Sequence, residues 1–326
     1  MTRTYLALAA ALACSTPLSA QTATTKLDAT SGVPDIDKTT QTQDVPFKND
    51  KDDRMTVLVR LGGAGPYQFL VDTGADRTAI SRELVSQLRL PSSGGAQLHS
   101  VSGVSNVTTA RIRDLELTRP PERSIDAAVL SRADMGADGI VGVDVLRSQR
   151  VEFDFATQTM SIVPSESPDF RAEKGTIVVS ARRKNGRLIV TDADVGGHNL
   201  TVVLDTGSEI SIGNAALRRQ LLRTDLIDAQ KTVELVSVTG ERIIGDYMVI
   251  PSIKIGGIAL SNLAVVFTDA ETFKQLRLKD RPSLLLGMNA IRAFKKVSID
   301  FANKKFRVVL PQHSALETQV AFGPGD

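Results

Sequence analysis

The sequence predicts an all-β fold of two lobes built by internal duplication, and three observations carry that expectation. Apolar runs of Val, Ile, Leu, Thr and Phe, bounded by Gly, Pro or Asn, dominate the chain after residue 53. The same ordered set of features is written twice. Helical signal is brief, near 82–90 and 214–222, each time after the same tripeptide.

The repeat reads in order as follows. Val59-Arg60-Leu61-Gly62-Gly63 precedes Tyr67-Gln68-Phe69-Leu70-Val71-Asp72-Thr73-Gly74-Ala75. Its second copy is Ala193-Asp194-Val195-Gly196-Gly197 before Leu200-Thr201-Val202-Val203-Leu204-Asp205-Thr206-Gly207-Ser208. The two Asp residues lie 133 positions apart. A Gly-bearing turn follows in each copy, Val101-Ser102-Gly103 and Val238-Thr239-Gly240. Then come an apolar run ending in Gly (Gly142, Gly287), a short helix-like stretch and a hairpin. The offsets drift only by loop insertions, so duplication of a unit of ordinary domain size, about 100–150 residues, explains the pattern better than chance.

An Asp at the mouth of a buried strand is costly unless it is paired or hydrogen-bonded. Two such loops set face to face about a two-fold axis bring two carboxylates close enough to share a proton, since both cannot ionise cheaply. One then acts as general base on a water between them while the other donates to a bound carbonyl oxygen. The Gly after each Thr is expected to allow close backbone approach and a positive φ. Ser208, absent from the first copy where Ala75 stands, is expected to hydrogen-bond its neighbouring carboxylate and favour the ionised form. Activity is expected at mildly acidic to near-neutral pH.

Asp72-Thr73-Gly74-Ala75 and Asp205-Thr206-Gly207-Ser208 resemble the active-site loops of aspartic proteases, and Val141-Gly142 and Leu286-Gly287 resemble that family's second motif. The spacing is closer to retropepsins than to pepsin, and the match spans residues 54–310. Periplasmic bacterial retropepsin-like proteases are the nearest group. The resemblance implies a two-lobe acid-protease fold with Asp72 and Asp205 as catalytic pair. It also implies a grip between the loops through Thr73 and Thr206, and flap tips at Val101, Ser102, Gly103, Val238, Thr239 and Gly240 that close over an extended peptide or protein substrate. Pepsin-like enzymes carry a flap Tyr and usually disulfides, whereas Tyr5, Tyr67 and Tyr247 are the only Tyr residues here. Viral retropepsins are homodimers of one lobe, so an intramolecular pseudo-dimer, a monomer, is expected, with pairing of lobes between chains as the alternative.

Composition narrows the field. Lys and Arg number 39 against 37 Asp and Glu, a balance of +2 that argues against a nucleic-acid-coating protein or a polybasic membrane-surface protein. One Cys allows no intramolecular disulfide, and three scattered His residues make a His- or Cys-ligated metal site a poor reading; no metal and no cofactor are expected. Residues 1–20 read as a signal peptide cleaved after Ala20, with an apolar run from Leu6 to Cys14 too short to span a bilayer, which needs about 20 residues. An uncleaved anchor and lipidation at Cys14, in an Ala11-Leu12-Ala13-Cys14 box, are the alternatives. The expected location is therefore periplasmic or secreted, with no membrane span.

The expected organisation is a leader at 1–20, a disordered tether or pro-segment at 21–53 and an N-terminal lobe at 54–164. A linker at 165–175, a C-terminal lobe at 176–311 and a flexible tail at 312–326 follow. His99, beside a flap, reads as a solvent-facing loop residue, and Asp154 and Asp300 as turn-capping or salt-bridged residues rather than a second carboxylate pair. The functional expectation is an aspartic endopeptidase; the competing class is a non-catalytic peptide-binding envelope protein on the same fold, which loss of either Asp would have favoured.

Overall fold

The computed structural model describes residues 26–29, 44–49, 55–117, 122–165, 173, 175–224 and 231–311. The leader at 1–20 and the tail at 312–326 lie outside these residues, as do most of 21–53 and of the linker.

Each lobe is built around a strand that ends in the Asp loop. In the N-terminal lobe that strand, Ala64–Val71, runs parallel to Gly139–Val141 and antiparallel to Met55–Leu61. In the C-terminal lobe Thr201–Leu204 runs parallel to Ser283–Leu286 and antiparallel to Arg187–Val190. The residues just before each Asp are buried on both faces (Phe69, Leu70, Val71; Val202, Val203, Leu204), which is why they read as continuous apolar runs rather than as alternation. After each loop a three-residue strand, Ala79–Ser81 or Ser211–Gly213, leads into a short helix, Arg82–Leu88 or Ala215–Arg223. Ser81 caps the first helix by accepting from the Leu84 N–H at 3.1 Å, and Asn214 caps the second by accepting from the Leu217 N–H at 2.9 Å. Both helices lie within about two residues of their expected positions.

The lobes are joined by a shared sheet. Gln149–Asp154 of the first copy pairs antiparallel with Lys296–Asp300 of the second, with Val151 opposite Ile299 and Phe153 opposite Val297. Lys305–Val309 and Thr176–Ser180 extend the sheet on one side and Thr159–Pro164 on the other. Phe153, Ile162, Val297, Ile299, Phe301 and Phe306 are buried here, so one core runs from lobe to lobe. Asp154 and Asp300 close the two hairpins: Asp154 accepts from the Ala156 and Thr157 N–H groups and pairs with Lys296, and Asp300 accepts from the Asn303 N–H. They are turn-closing residues on opposite hairpins, not a second acid pair.

Within 21–53, expected as a disordered tether or a pro-segment, the described residues form two strands. Lys26–Ala29 pairs antiparallel with Ile258–Ser261, and Asp44–Asn49 pairs with Met55–Val57 and with Thr159–Ser161. Sheet strands offer unpaired backbone N–H and C=O groups that an extended chain can satisfy, and Leu27 with Ala29 and Val45 with Phe47 supply a short alternation inside the polar segment. Among the described residues, no helix is long and apolar enough to cross a membrane.

Phe153 is fully buried at the seam and stacks on Phe155 with ring centroids 6.4 Å apart. Truncating it opens a cavity in the core both lobes share. Phe153→Ala is expected to lower unfolding free energy by about 3–5 kcal/mol. Urea unfolding followed by circular dichroism measures this; a loss below about 1 kcal/mol would contradict a close-packed seam.

Candidate active site

The two Asp loops are held by matching backbone bonds. The Asp72 N–H donates to Val141 O at 3.0 Å and the Asp205 N–H to Leu286 O at 3.1 Å. On the far side of each loop, the Val143 N–H donates to Ala75 O at 2.9 Å and the Met288 N–H to Ser208 O at 2.8 Å. Gly142 and Gly287 make this possible, since a Cβ on either would fall 2.6 Å from the backbone carbon of Arg77 or Ile210. A buried polar brace repeats beneath. Thr78 Oγ1 donates to Asp144 Oδ1 at 2.7 Å and accepts from the Gly142 N–H at 3.1 Å. Ser211 Oγ donates to Asn289 Oδ1 at 2.8 Å and accepts from the Gly287 N–H at 3.1 Å. Sequence reasoning missed these four residues; the signal was an Asp or Asn two positions after each motif Gly.

Across the two-fold axis the threonines interlock. The Thr73 N–H donates to Thr206 Oγ1 at 3.0 Å and the Thr206 N–H to Thr73 Oγ1 at 3.1 Å. Each hydroxyl then donates onward to the opposite lobe, Thr73 Oγ1 to Leu204 O at 3.2 Å and Thr206 Oγ1 to Val71 O at 2.7 Å. Every donor and acceptor is buried, so this ring fixes the separation of the loops without an unsatisfied group.

The carboxyl groups meet above that ring and hydrogen-bond to each other. A Cβ at Gly74 would lie 2.5 Å from Asp205 Oδ1, and one at Gly207 would overlap the Asp72 carboxyl. Neither glycine has the positive φ expected of it. Its role is close approach alone, because the opposing carboxyl occupies the space a side chain would need. The pair is not symmetric. Asp72 Oδ1 accepts from the Gly74 N–H at 2.7 Å and the Ala75 N–H at 3.0 Å, whereas Asp205 Oδ1 accepts from the Gly207 N–H at 3.0 Å. Asp205 is buried, Asp72 only partly so. Burial, then the neighbouring Asp72 charge, pushes the Asp205 carboxyl up to about 7, against the lowering pull of Arg187 and of the Gly207 N–H. Ser208 does not favour an ionised Asp205 as expected: its hydroxyl donates to Ile210 O at 2.7 Å, because its own turn offers a nearer acceptor.

Arg187 enters the site from the C-terminal lobe. Its guanidinium, almost wholly buried, donates to Gly74 O, pairs with Asp76 Oδ1 at 2.7 Å and donates to Gln275 Oε1 at 2.9 Å. Gln275 Nε2 completes the loop by donating to Asp76 Oδ2 at 2.8 Å. This asymmetric strap also escaped the sequence reading. Its signal is an Arg 18 residues before each loop Asp, at 54 and 187; Arg54 lies outside the described residues.

Over the carboxyls stand two hairpins. Ser92–His99 with Val104–Glu116 presents Val101, Ser102 and Gly103 at its tip, and Lys231–Val236 with Arg242–Ile255 presents Val238, Thr239 and Gly240. Gly240 has φ 79°, a turn conformation that other residues rarely adopt. The tips touch through hydroxyls. Ser102 Oγ donates to Ser237 Oγ at 3.1 Å and lies 3.4 Å from Thr239 Oγ1, while Ser100 and Thr239 flank at 2.7 Å from Ser102 and Ser237 respectively. Each tip valine packs on the opposite lobe, Val101 against the cluster around Ile212 and Phe273, Val238 against the cluster around Ala79 and Ala128. His99 is not simply solvent-facing: it is one-third exposed, with Nδ1 3.6 Å from Glu271 Oε1 of the other lobe. Between hairpins and carboxyls lies a cavity of about 620 Å³ bordered by Asp72, Asp205 and both tip valines.

Comparison with known families agrees with this geometry. Residues 57–148 match the family described as "gag-polyprotein putative aspartyl protease", and residues 191–290 match the family described as "Aspartyl protease". Each lobe therefore matches one aspartyl protease domain model. No curated protein matches it.

The raised Asp205 carboxyl has a consequence for stability. Between its ordinary value of 3.8 and about 7, the folded protein retains a proton that the unfolded chain releases. This contribution is complete below pH 3.8 and is lost as the pH rises through about 7. Asp205→Asn removes that loss, so its melting temperature relative to wild type is expected to climb from pH 4 to pH 7. Thermal unfolding of both proteins across that window is the measurement; a constant difference would rule out the raised carboxyl.

Proposed function

We propose that this chain is an aspartic endopeptidase that hydrolyses peptide bonds in extended protein segments, with Asp72 and Asp205 as its catalytic dyad. The observation that carries the reading is the hydrogen-bonded pair of unlike carboxyls beneath two hairpin tips, in a chain of two aspartyl protease domains. An extended substrate fits the cleft because the hairpin strands supply backbone groups along its length.

The chemistry follows from the asymmetry of the pair. Asp72, with two N–H donors and more solvent, is the ionised member; buried Asp205 holds the shared proton. A water between them loses a proton to Asp72 as its oxygen attacks the peptide carbon, and Asp205 gives its proton to the carbonyl oxygen. The resulting gem-diol collapses: the C–N bond breaks, Asp72 passes its proton to the departing nitrogen, and Asp205 recovers one from a diol hydroxyl. The products are an acid and an amine, with no covalent intermediate. Thr73, Thr206, Gly74 and Gly207 position the pair, and Arg187 is a positioning residue that restrains the rise of Asp205. The proposed location, the periplasm or the cell exterior, rests on the leader-like pattern of residues 1–20.

Asp72→Asn and Asp205→Asn are each expected to lower cleavage of an unfolded protein by about 10²–10⁴-fold while leaving the chain folded. Cleavage that survives either substitution would sink the dyad. Activity needs the proton on the pair, so it should decline above about pH 7. Arg187→Met removes a charge that lowers the Asp205 carboxyl, so the upper limb of the pH–rate profile should move to higher pH, with Arg187→Lys intermediate. An upper limb unmoved by Arg187→Met would separate this residue from the proton balance.

A further inference from the structure

We infer that the two halves of the cleft accept side chains of different size at mirror-related substrate positions, bulky under the N-terminal lobe and small under the C-terminal lobe. The inference rests on the peptidase reading and names the substrate class that such an enzyme would select.

The comparison is internal to the chain, because strand register fixes which residues are equivalent. Ala79 stands 133 positions before Ile212, the same offset that separates Asp72 from Asp205. Ala79 pairs with Ala128 on one side and Ile140 on the other. Ile212 pairs in the same two directions with Val266 and Leu285. At each of the first two stations the N-terminal lobe has a methyl group where the C-terminal lobe has a branched aliphatic chain. The effect reaches the cavity. Ala79, Ala128 and Ile140 all border it, whereas on the other side Ile212 borders it and Val266 and Leu285 do not.

What lies behind each wall accentuates the difference. The C-terminal lobe backs Ile212 with Phe273, Leu276 and Leu278, buried on and after the helix Glu271–Gln275. The N-terminal lobe surrounds Ala79 with Leu70, Ala128, Leu130, Met135, Ala137 and Ile140, a cluster with no aromatic ring. Each hairpin tip delivers one valine to the opposite wall, and the hairpin strands add Leu98 and Val107 to the N-terminal wall and Leu235 to the C-terminal one. Packed protein walls deform little, so wall height sets the size of side chain admitted. A symmetric dimer of one lobe has no means of drawing this distinction; a duplicated chain whose halves have diverged does.

The test is cleavage profiling of a randomised peptide library by the full chain. At one position on one side of the scissile bond, Phe, Tyr, Leu or Met should be preferred over Ala by about tenfold or more. The mirror position across the bond should show the reverse preference. Ala79→Ile, which writes the C-terminal wall into the N-terminal lobe, should bring the bulky-to-small ratio towards one. Ala128→Val provides the same readout should Ala79→Ile fail to fold, and Ile212→Ala should admit bulky residues at the mirror position. Binding of peptides with a reduced, uncleavable bond, carrying Phe and Ala in either order, is measured in parallel. Equal preference at both mirror positions overturns the inference, as does an asymmetry that the wall variants leave unchanged. Asymmetric binding without hydrolysis overturns the peptidase reading and leaves the inference standing, and no binding of any peptide overturns both.

Discussion

The structure depends on one constraint: two carboxyl groups are held in contact in a place where they cannot both be charged. Left to electrostatics and solvation the loops would separate, since burial and like charge both penalise a second ionisation. What prevents it is the ring of four hydrogen bonds between Thr73 and Thr206 and the backbones of the opposite lobes. Each threonine satisfies a buried group of the other lobe, so parting the loops would strand several polar groups at once. The shared sheet from Gln149–Asp154 to Lys296–Asp300 holds the lobes from behind, and the interlock sets their spacing at the front.

Duplication accounts for the frame, and divergence for the chemistry. The backbone clamps under each loop, the hydroxyl–carboxamide or hydroxyl–carboxylate brace and the helix cap recur almost bond for bond. The carboxyls themselves are treated differently. Asp72 collects two amide donors and retains some solvent; Asp205 is buried and pushed up to about 7. Arg187, reaching from the C-terminal lobe to the N-terminal loop, tempers the inequality, because its charge restrains the rise of Asp205. A strictly symmetric pair gives neither carboxyl a reason to hold a shared proton, whereas here burial favours Asp205.

Some readings failed for instructive reasons. The glycines of the Asp loops were expected to need positive φ, but their constraint comes from a carboxyl some 130 residues away, and no local turn rule reports that. Ser208 was assigned to its neighbouring Asp because adjacency in sequence suggested it, yet the hydroxyl found a carbonyl in its own turn. The strands at Lys26–Ala29 and Asp44–Asn49 alternate apolar and polar residues only briefly, Leu27 with Ala29 and Val45 with Phe47, inside a polar segment, and they pair with strands far along the chain. The strap through Arg187 left only a faint trace, an Arg at the same distance before each loop Asp, and nothing in that spacing says that the side chain is buried across the lobes.

By itself the sequence determined the all-β character, the two-copy organisation, the Asp loops at the ends of apolar strands and the turns that became hairpin tips. Each of these is a local matter of residue type and spacing, or a self-comparison along one line of text. The tertiary structure decided which carboxyl is buried, what the glycines must avoid, how Arg187 straps the lobes, and that one wall of the cleft is lined with alanine where the other has isoleucine. These depend on distances between residues far apart in the chain. Desolvation, charge coupling and the volume left by a missing methyl group take their values only when the lobes are brought together.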